Sequence, residues 1–271
     1  MWLHTSCTLT FNITVPTPFV FMLRPRSGAQ QWVALEEYNI IPNVPVFEFT
    51  DIYGNFCQRL IAPQGEFVIS TSAEVMIADV VDQAPGAAFV DIKNLPNTVL
   101  GYLLPSRYCQ SDRFSQMTTS ITAGRQLGYD QVTAITEWLR STIHFTPNRS
   151  NIAVSAIEVN NRGWGVCRDL SHLGIAMCRS LSIPARMVVG YFYGLKSMDL
   201  HAWFEVYVGG RWYAFDATQE EMRGGYVAIG YGRDAADVAI YNQFGPALHP
   251  ISQQITVEKT NPPERIPNAA L

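Results

Sequence analysis

The stretch that decides the fold runs from residue 201 to residue 218 and reads HAWFEVYVGGRWYAFDAT. Its side chains alternate in character on both sides of the Gly-Gly pair at 209–210, a pattern typical of a tight β-hairpin. If this turn closes tightly, Trp203 lies opposite Asp216 in the paired strands. His201 shares a face with Trp203 because side chains alternate along a strand, so Asp216 is predicted to be the diagonal neighbour of His201.

The predicted contact between His201 and Asp216 has a chemical meaning. A carboxylate bonded to an imidazole fixes its tautomer and stabilises the imidazolium that forms when the ring accepts a proton. A surface histidine beside an aspartate near a turn gives the same pattern, so the hairpin alone leaves both interpretations open. The His201 face is mixed, as the floor of a cleft would be, whereas the opposite face is expected to pack on the core. That core face carries Ala202, Phe204, Val206, Val208, Tyr213 and Phe215.

Upstream, residues 163–169 read GWGVCRD and place Cys167 where a glycine-containing turn enters a predicted helix. Unpaired backbone N–H groups and the positive end of the helix dipole surround a side chain at such a position. This environment favours the thiolate, the form of cysteine that attacks carbonyl groups. The other four cysteines are expected to be small buried hydrophobic residues. They are Cys7, Cys57, Cys109 and Cys178.

The helix that starts near Cys167 is predicted to run to about Leu181 and to end before Pro184. His172 lies five residues along this helix, about 140° around its axis from the cysteine. It therefore points away from the sulfur, and we expect it to be structural or partly exposed. Asp169 also faces away and suits the first helical turn, where the dipole favours a carboxylate.

The two halves of the chain differ in pattern. Residues 1–106 alternate with period two between many Gly and Pro breakers and are predicted to form an all-β domain. Residues 107–271 are predicted to be α+β, with helices first and an antiparallel sheet afterwards. A helix is expected over 130–143, with Asp130 as its N-cap. Strands are predicted at 9–15, 20–23, 58–61, 67–70, 75–77, 186–192, 202–208, 211–215, 226–229 and 254–258.

Composition narrows the classes of function. The 271 residues are 48% hydrophobic and 15% charged, which suits a globular core and excludes a disordered chain. The net charge of −4 and the scattered basic residues provide no basic face for nucleic acid. No apolar run approaches the ~20 residues that cross a bilayer, and the start of the chain lacks the basic region of a secretion signal. We therefore expect a soluble cytoplasmic protein without nucleic-acid or membrane partners.

The spacing of possible metal ligands argues against a metal site. The five cysteines contain no CxxC pair, and His144, His172 and His201 lack the spacing of a helical or knuckle ligand set. The odd cysteine count also disfavours a disulfide framework. We expect neither a metal ion nor an organic cofactor.

Several motifs in order along the chain resemble the transglutaminase-like superfamily. In that superfamily a cysteine at a helix N-terminus meets a His–Asp pair on the adjoining sheet in papain-like geometry. The resemblance implies an α+β fold in which the helix bearing the cysteine packs on an antiparallel sheet, preceded by an all-β N-terminal domain. In the core, the segments that carry the resemblance are 165–194 and 199–218. Residues 232–238 resemble the bacterial members of the superfamily, and residues 23–25, 51–55 and 104–106 resemble their N-terminal domain.

The resemblance assigns the nucleophile to Cys167, the base to His201 and the orienting acid to Asp216. It implies an enzyme that opens amide bonds of peptides or proteins through a thioester, with cysteine-protease-like hydrolysis favoured over transfer. Three alternatives stay open at this point. They are protein-glutamine transamidation or deamidation, acyl transfer as in arylamine acetyltransferases, and a non-catalytic scaffold that binds peptides.

Two positions depart from the superfamily pattern. Asp216 is followed by alanine where proline is usual, a mild change because that proline only stiffens the strand end. Trp164 has the wrong spacing for the indole that animal transglutaminases use as an oxyanion donor. The backbone N–H of Cys167 is therefore the expected donor, with Asn160 or Asn161 as candidates for another. The candidate substrate-binding residues are Trp164, Trp203 and Asn161.

Overall fold

The fold is taken from a computed structural model, which describes residues 1–147, 149, 152–196 and 198–263. The strands are β1 (Trp2–Ile13), β2 (Thr17–Phe21), β3 (Gln31–Ile41), β4 (Phe47–Thr50), β5 (Phe56–Ala62), β6 (Gly65–Ile77), β7 (His144–Phe145), β8 (Trp164–Gly165), β9 (Ala185–Phe192), β10 (His201–Val208), β11 (Arg211–Phe215), β12 (Tyr226–Gly232), β13 (Tyr241–Gln243) and β14 (Ser252–Thr260). The helices are α1 (Ser115–Ile121), α2 (Tyr129–Thr142), α3 (Ala156–Arg162) and α4 (Cys167–Ser180). None of these described helices is long and apolar enough to cross a membrane. The cytoplasmic location stays a prediction.

Two four-stranded antiparallel sheets form the N-terminal half, which is β-rich as the alternating pattern predicts. Their strand orders are β14-β1-β6-β3 and β13-β2-β5-β4. Aromatic side chains join the two sheets, because Phe11 on β1 lies 5.3 Å from Phe19 on β2, measured between ring centroids. The strands predicted separately at 67–70 and 75–77 are both part of β6, since buried and more exposed side chains alternate along its whole length.

Two strands from the end of the chain complete these sheets. β14 pairs antiparallel with β1, and β13 pairs with β2. The prediction that the strand at 254–258 belongs to the sheet of the second half is wrong. Alternation identifies a strand without identifying its partner, and here the edge of β1 provides the hydrogen bonds. The boundary at residue 106 stays a prediction, although strands beyond residue 240 lie in the N-terminal sheets.

The second half is built on a four-stranded antiparallel sheet with the order β11-β10-β9-β12. α4 packs on one face of this sheet. A Cβ atom at Gly174 of the helix would lie 2.8 Å from the ring of Phe204, so helix and sheet approach closely there. The α+β class with a helix on an antiparallel sheet is confirmed. The helix residues predicted to face inward are all buried: Leu170, Leu173, Ala176 and Met177.

α2 confirms the helix predicted over 130–143, but the prediction of Asp130 as its N-cap is wrong. The helix starts directly after Gly128, whose φ is 108°. A Cβ atom at Gly128 would lie 2.4 Å from the carbonyl oxygen of Ala87, so a tertiary contact fixes this start. The carboxylate of Asp130 instead accepts a hydrogen bond of 2.9 Å from the backbone N–H of Gly86.

The hairpin of β10 and β11 has the predicted register, with Phe204 paired to Phe215. The two turn glycines have φ angles of 58° and 87°, the pair of left-handed conformations that a type I′ turn requires. This register brings the first residue of β10, His201, close to the residue that follows β11, Asp216.

Replacing Gly210 with alanine should destabilise the hairpin. The site has open space for a methyl group, but φ is 87°, a conformation that a side chain disfavours. We expect the free energy of unfolding in urea to fall by roughly 1–2 kcal/mol. Gly101→Ala is the matched control, because its surroundings are equally open and its backbone is not left-handed. Equal effects of the two substitutions would contradict this account of the turn.

Candidate active site

Cys167 is the first residue of α4, as predicted. β8 leads into it and pairs in parallel with β7, which fixes the approach to the helix. Val166 has extended backbone, and its carbonyl accepts the N–H groups of Asp169 and Leu170 at 3.0 and 3.1 Å. The sulfur therefore stands at the positive end of the helix dipole, beside the N–H groups of the first turn.

Exposure separates Cys167 from the other cysteines, because it is half-buried. Burial raises the pKa of the Cys7 thiol to about 12 and that of Cys57 to about 11. It likewise raises the pKa of Cys109 to about 12. The expectation of buried, unreactive thiols is confirmed for the other four. They are Cys7, Cys57, Cys109 and Cys178.

The predicted contact between His201 and Asp216 is present and buried. Nε2 of His201 lies 2.7 Å from Oδ2 of Asp216, and each side chain is 1% exposed. The side chain of Cys167 lies near enough to this ring to contribute to the pKa of His201. Since Nε2 is engaged with the carboxylate, Nδ1 is the ring nitrogen left for the sulfur.

The electrostatics of this cluster favour a protonated imidazole. Burial alone would lower the pKa of His201, but the charge and hydrogen bond of Asp216, with a contribution from Cys167, raise it to about 10. Burial would raise the pKa of Asp216, yet His201 and two hydrogen bonds from Thr218 hold it below its usual value. A positive ring thus lies between the carboxylate and the sulfur, which is the arrangement that stabilises a thiolate.

Two further side chains hold the carboxylate of Asp216 in place, and the sequence analysis missed both. Oδ1 accepts hydrogen bonds from the N–H and the hydroxyl of Thr218 at 2.8 and 2.7 Å. Oδ2 accepts one from the hydroxyl of Tyr226 at 2.9 Å. The Asp-x-Thr spacing could have signalled Thr218, because such residues bond to backbone nearby. Tyr226 comes from β12, two strands away from β10, and no local pattern indicates it.

A cavity of about 680 Å³ opens beside the sulfur, and both Cys167 and His201 line it. The β11-β10-β9-β12 sheet contributes one part of its wall, and residues 235–253, which lead from β12 into β14, contribute another. Its volume and mainly apolar lining are typical of a ligand site. Its other polar lining residues include Arg168, Asp199, His249 and Gln253.

The three candidate substrate-binding residues are not among those that line this cavity, and their role in substrate binding stays a prediction. Trp164 is held between two guanidinium groups, 3.9 Å from that of Arg162 and 4.3 Å from that of Arg149. Trp203 is buried and lines a separate cavity of about 600 Å³ between the β11-β10-β9-β12 sheet and the N-terminal half. Asn161 is exposed on α3. Period-two alternation predicts on which face of the sheet Trp203 lies, but it does not predict which part of the protein packs over that face.

His172 has the structural role expected for it. It is fully buried, with Nδ1 donating to the carbonyl of Val154 at 2.9 Å and Nε2 accepting from the N–H of Ala235 at 3.1 Å. Burial lowers its pKa to about 4, so the ring is neutral and able to do both. It ties α4 to segments that flank the cavity. Within the described ranges, no three His, Cys, Asp or Glu side chains are grouped as metal ligands.

Comparisons with known proteins agree with this arrangement. Residues 115–217 match the model of the transglutaminase-like superfamily. The crystal structure of a candidate cysteine protease from Cytophaga hutchinsonii is 32% identical, has a TM-score of 0.87, and is matched over 96% of this chain and 92% of that one. An uncharacterised protein of Mycobacterium leprae (strain TN) is 26% identical over 234 residues, 80% of this chain and 82% of that protein. The chain belongs to the transglutaminase-like superfamily.

Asp216→Asn should lower the pKa of His201, because it removes the charge that outweighs burial. We expect a decrease of roughly 1–3 units from the value of about 10. Side-chain NMR titration of the histidines measures it. Glu74→Gln is the control, since Glu74 pairs with His4 at 2.8 Å in the N-terminal half and should not affect His201. An unchanged His201 titration in Asp216→Asn would show that this carboxylate does not control the ring.

Proposed function

We propose that this chain is a cysteine amidohydrolase that cleaves amide bonds of peptides or proteins through a thioester. Cys167 is the nucleophile, His201 the acid and base, and Asp216 the residue that orients the imidazole. One observation carries the proposal. A half-buried sulfur at a helix N-terminus shares a cavity with a buried imidazole, and Nε2 of that imidazole is held by a buried carboxylate.

The reaction follows from these positions. The thiolate of Cys167 attacks the amide carbonyl, and the backbone N–H groups at the start of α4 can stabilise the oxyanion. His201 donates its proton to the leaving amine, so that a thioester remains on the sulfur. Water then attacks the thioester and gives a proton back to the ring, which releases the carboxylic acid. Asp216 keeps Nε2 protonated throughout and holds the ring plane in line with the sulfur.

Two observations favour this function over a scaffold that only binds peptides. The imidazole and carboxylate are buried, and burying charges that have no task is costly. The cavity also reaches the sulfur itself, so a bound chain would contact the reactive atom. The description of the Cytophaga hutchinsonii relative as a candidate cysteine protease supports hydrolysis over transfer.

Cys167→Ala should abolish cleavage. Wild-type protein incubated with a complex peptide mixture is expected to yield new carboxyl termini, detected by mass spectrometry. The yield should fall on the order of 10⁴-fold or more in Cys167→Ala, because the covalent intermediate is lost. Cys57→Ala, which removes a buried thiol from an N-terminal sheet, is the matched control and should keep the activity.

Adding an excess of a primary amine separates hydrolysis from transfer. Hydrolysis predicts free acids as the main products, whereas transamidation would give amine adducts. Predominant adducts would contradict hydrolysis while keeping the roles of the three residues. Identical peptide patterns from wild type and Cys167→Ala would contradict the enzyme assignment.

A further inference from the structure

The cavity beside Cys167 contains a carboxylate that the proposed mechanism does not use. Asp199 precedes His201 by two residues and lines the same cavity. Its Oδ1 accepts hydrogen bonds from the N–H of Leu200 at 2.7 Å and from Nε2 of Gln253 at 2.8 Å. Its Oδ2 has no hydrogen-bond or ion-pair partner among the residues that the structure describes. One oxygen thus anchors the loop, and the other is left for a ligand.

No residue in the described part of the chain forms an ion pair with Asp199. The positive ring of His201 is already shared by Asp216 and Cys167. Arg168, which also lines the cavity, donates to Asp169 at 3.2 Å and to the carbonyl of Ile152 at 2.7 Å. Burial has the largest effect on Asp199 and raises the pKa of this carboxyl group, although the charge of His201 acts in the opposite direction. A cationic group of a substrate would relieve the cost of this burial.

The rest of the cavity suits an aliphatic stem. Met187, Val189, Leu195 and Leu200 line it together with the carboxylate. Long basic side chains combine an aliphatic stem with a cationic head and bury the stem against apolar surface. A site of this kind therefore matches lysine or arginine better than a short polar side chain.

We propose that Asp199 is a specificity residue that selects amide substrates with a lysine or arginine side chain next to the scissile bond. This inference rests on the proposed function of Cys167 and names its substrate class. The ammonium or guanidinium group binds Oδ2, and the stem lies against the aliphatic wall. The carbonyl of the same or the neighbouring residue is then presented to the sulfur.

The first arm of the test measures charge selection at Cys167 without turnover. Methanethiosulfonate reagents transfer their thioalkyl group to a thiolate and release methanesulfinate. Versions of these reagents with a trimethylammonium or a sulfonate head carry opposite charges on the same reactive group. We expect the ratio of cationic to anionic labelling rates to fall about tenfold in Asp199→Asn, since a carboxylate that lines the same cavity acts oppositely on the two heads. Asparagine keeps an oxygen acceptor for Leu200 and Gln253, so the loop anchor is preserved.

Glu66→Gln is the matched control, because it removes an exposed carboxylate on β6 that does not line the cavity. Its labelling ratio should equal that of the wild type. A ratio that is the same in wild type and Asp199→Asn overturns the proposal.

The second arm compares turnover of N-acetylated peptides that carry lysine or uncharged norleucine beside the scissile amide. We expect kcat/KM to favour the lysine peptide about tenfold in the wild type and to be equal for the two peptides in Asp199→Asn. A preference for lysine that is the same in wild type and Asp199→Asn overturns the assignment. Charge selection in the first arm without turnover of any peptide contradicts the proposed function but supports the cation site.

Discussion

The candidate site depends on the buried hydrogen bond between Nε2 of His201 and Oδ2 of Asp216. Burying either charge alone would cost several kcal/mol, so each group is tolerable only because the other is beside it. Their meeting requires the hairpin register that the two turn glycines set. It also requires the three hydrogen bonds from Thr218 and Tyr226, which satisfy the remaining capacity of the carboxylate. A change in any of these contacts would leave a buried polar atom without its partner.

The N-terminal sheets take part in building the site, although their sequence contains no catalytic chemistry. Two of their amide side chains hold β12, the edge strand that carries Tyr226. Gln31 exchanges two hydrogen bonds with the backbone of Ala228, and Asn55 does the same with Tyr231. Pairing of this kind covers an edge that would otherwise be open. The same sheets receive β13 and β14, and thereby fix the segment that forms part of the cavity wall.

The sequence predicts the local parts of this structure well. The hairpin register, the helix that starts at Cys167 and the diagonal contact of His201 with Asp216 follow from turn chemistry and periodicity. The sequence does not predict features that depend on contacts between residues far apart in the chain. The start of α2 depends on how closely Ala87 approaches Gly128, and β14 pairs with β1 at the opposite end of the chain.

The set of residues that line the cavity is also determined by contacts between distant parts of the chain, so the sequence does not predict it. Its wall includes a segment far from Cys167 in sequence, and only tertiary packing brings the two together. Trp164, three residues before Cys167, does not line the cavity, since its ring packs between two arginines. Nearness to Cys167 in sequence therefore does not predict which residues line the cavity.

The most direct test of the activated pair is the rate at which iodoacetamide alkylates Cys167 at pH 6, followed by peptide mapping. The account predicts selective labelling of Cys167 over the four buried cysteines. It also predicts a loss of roughly 100-fold in His201→Ala, because an ordinary thiol is less than about 1% thiolate at this pH. Labelling of Cys167 that is no faster than that of the other cysteines, or that does not depend on His201, would contradict the account.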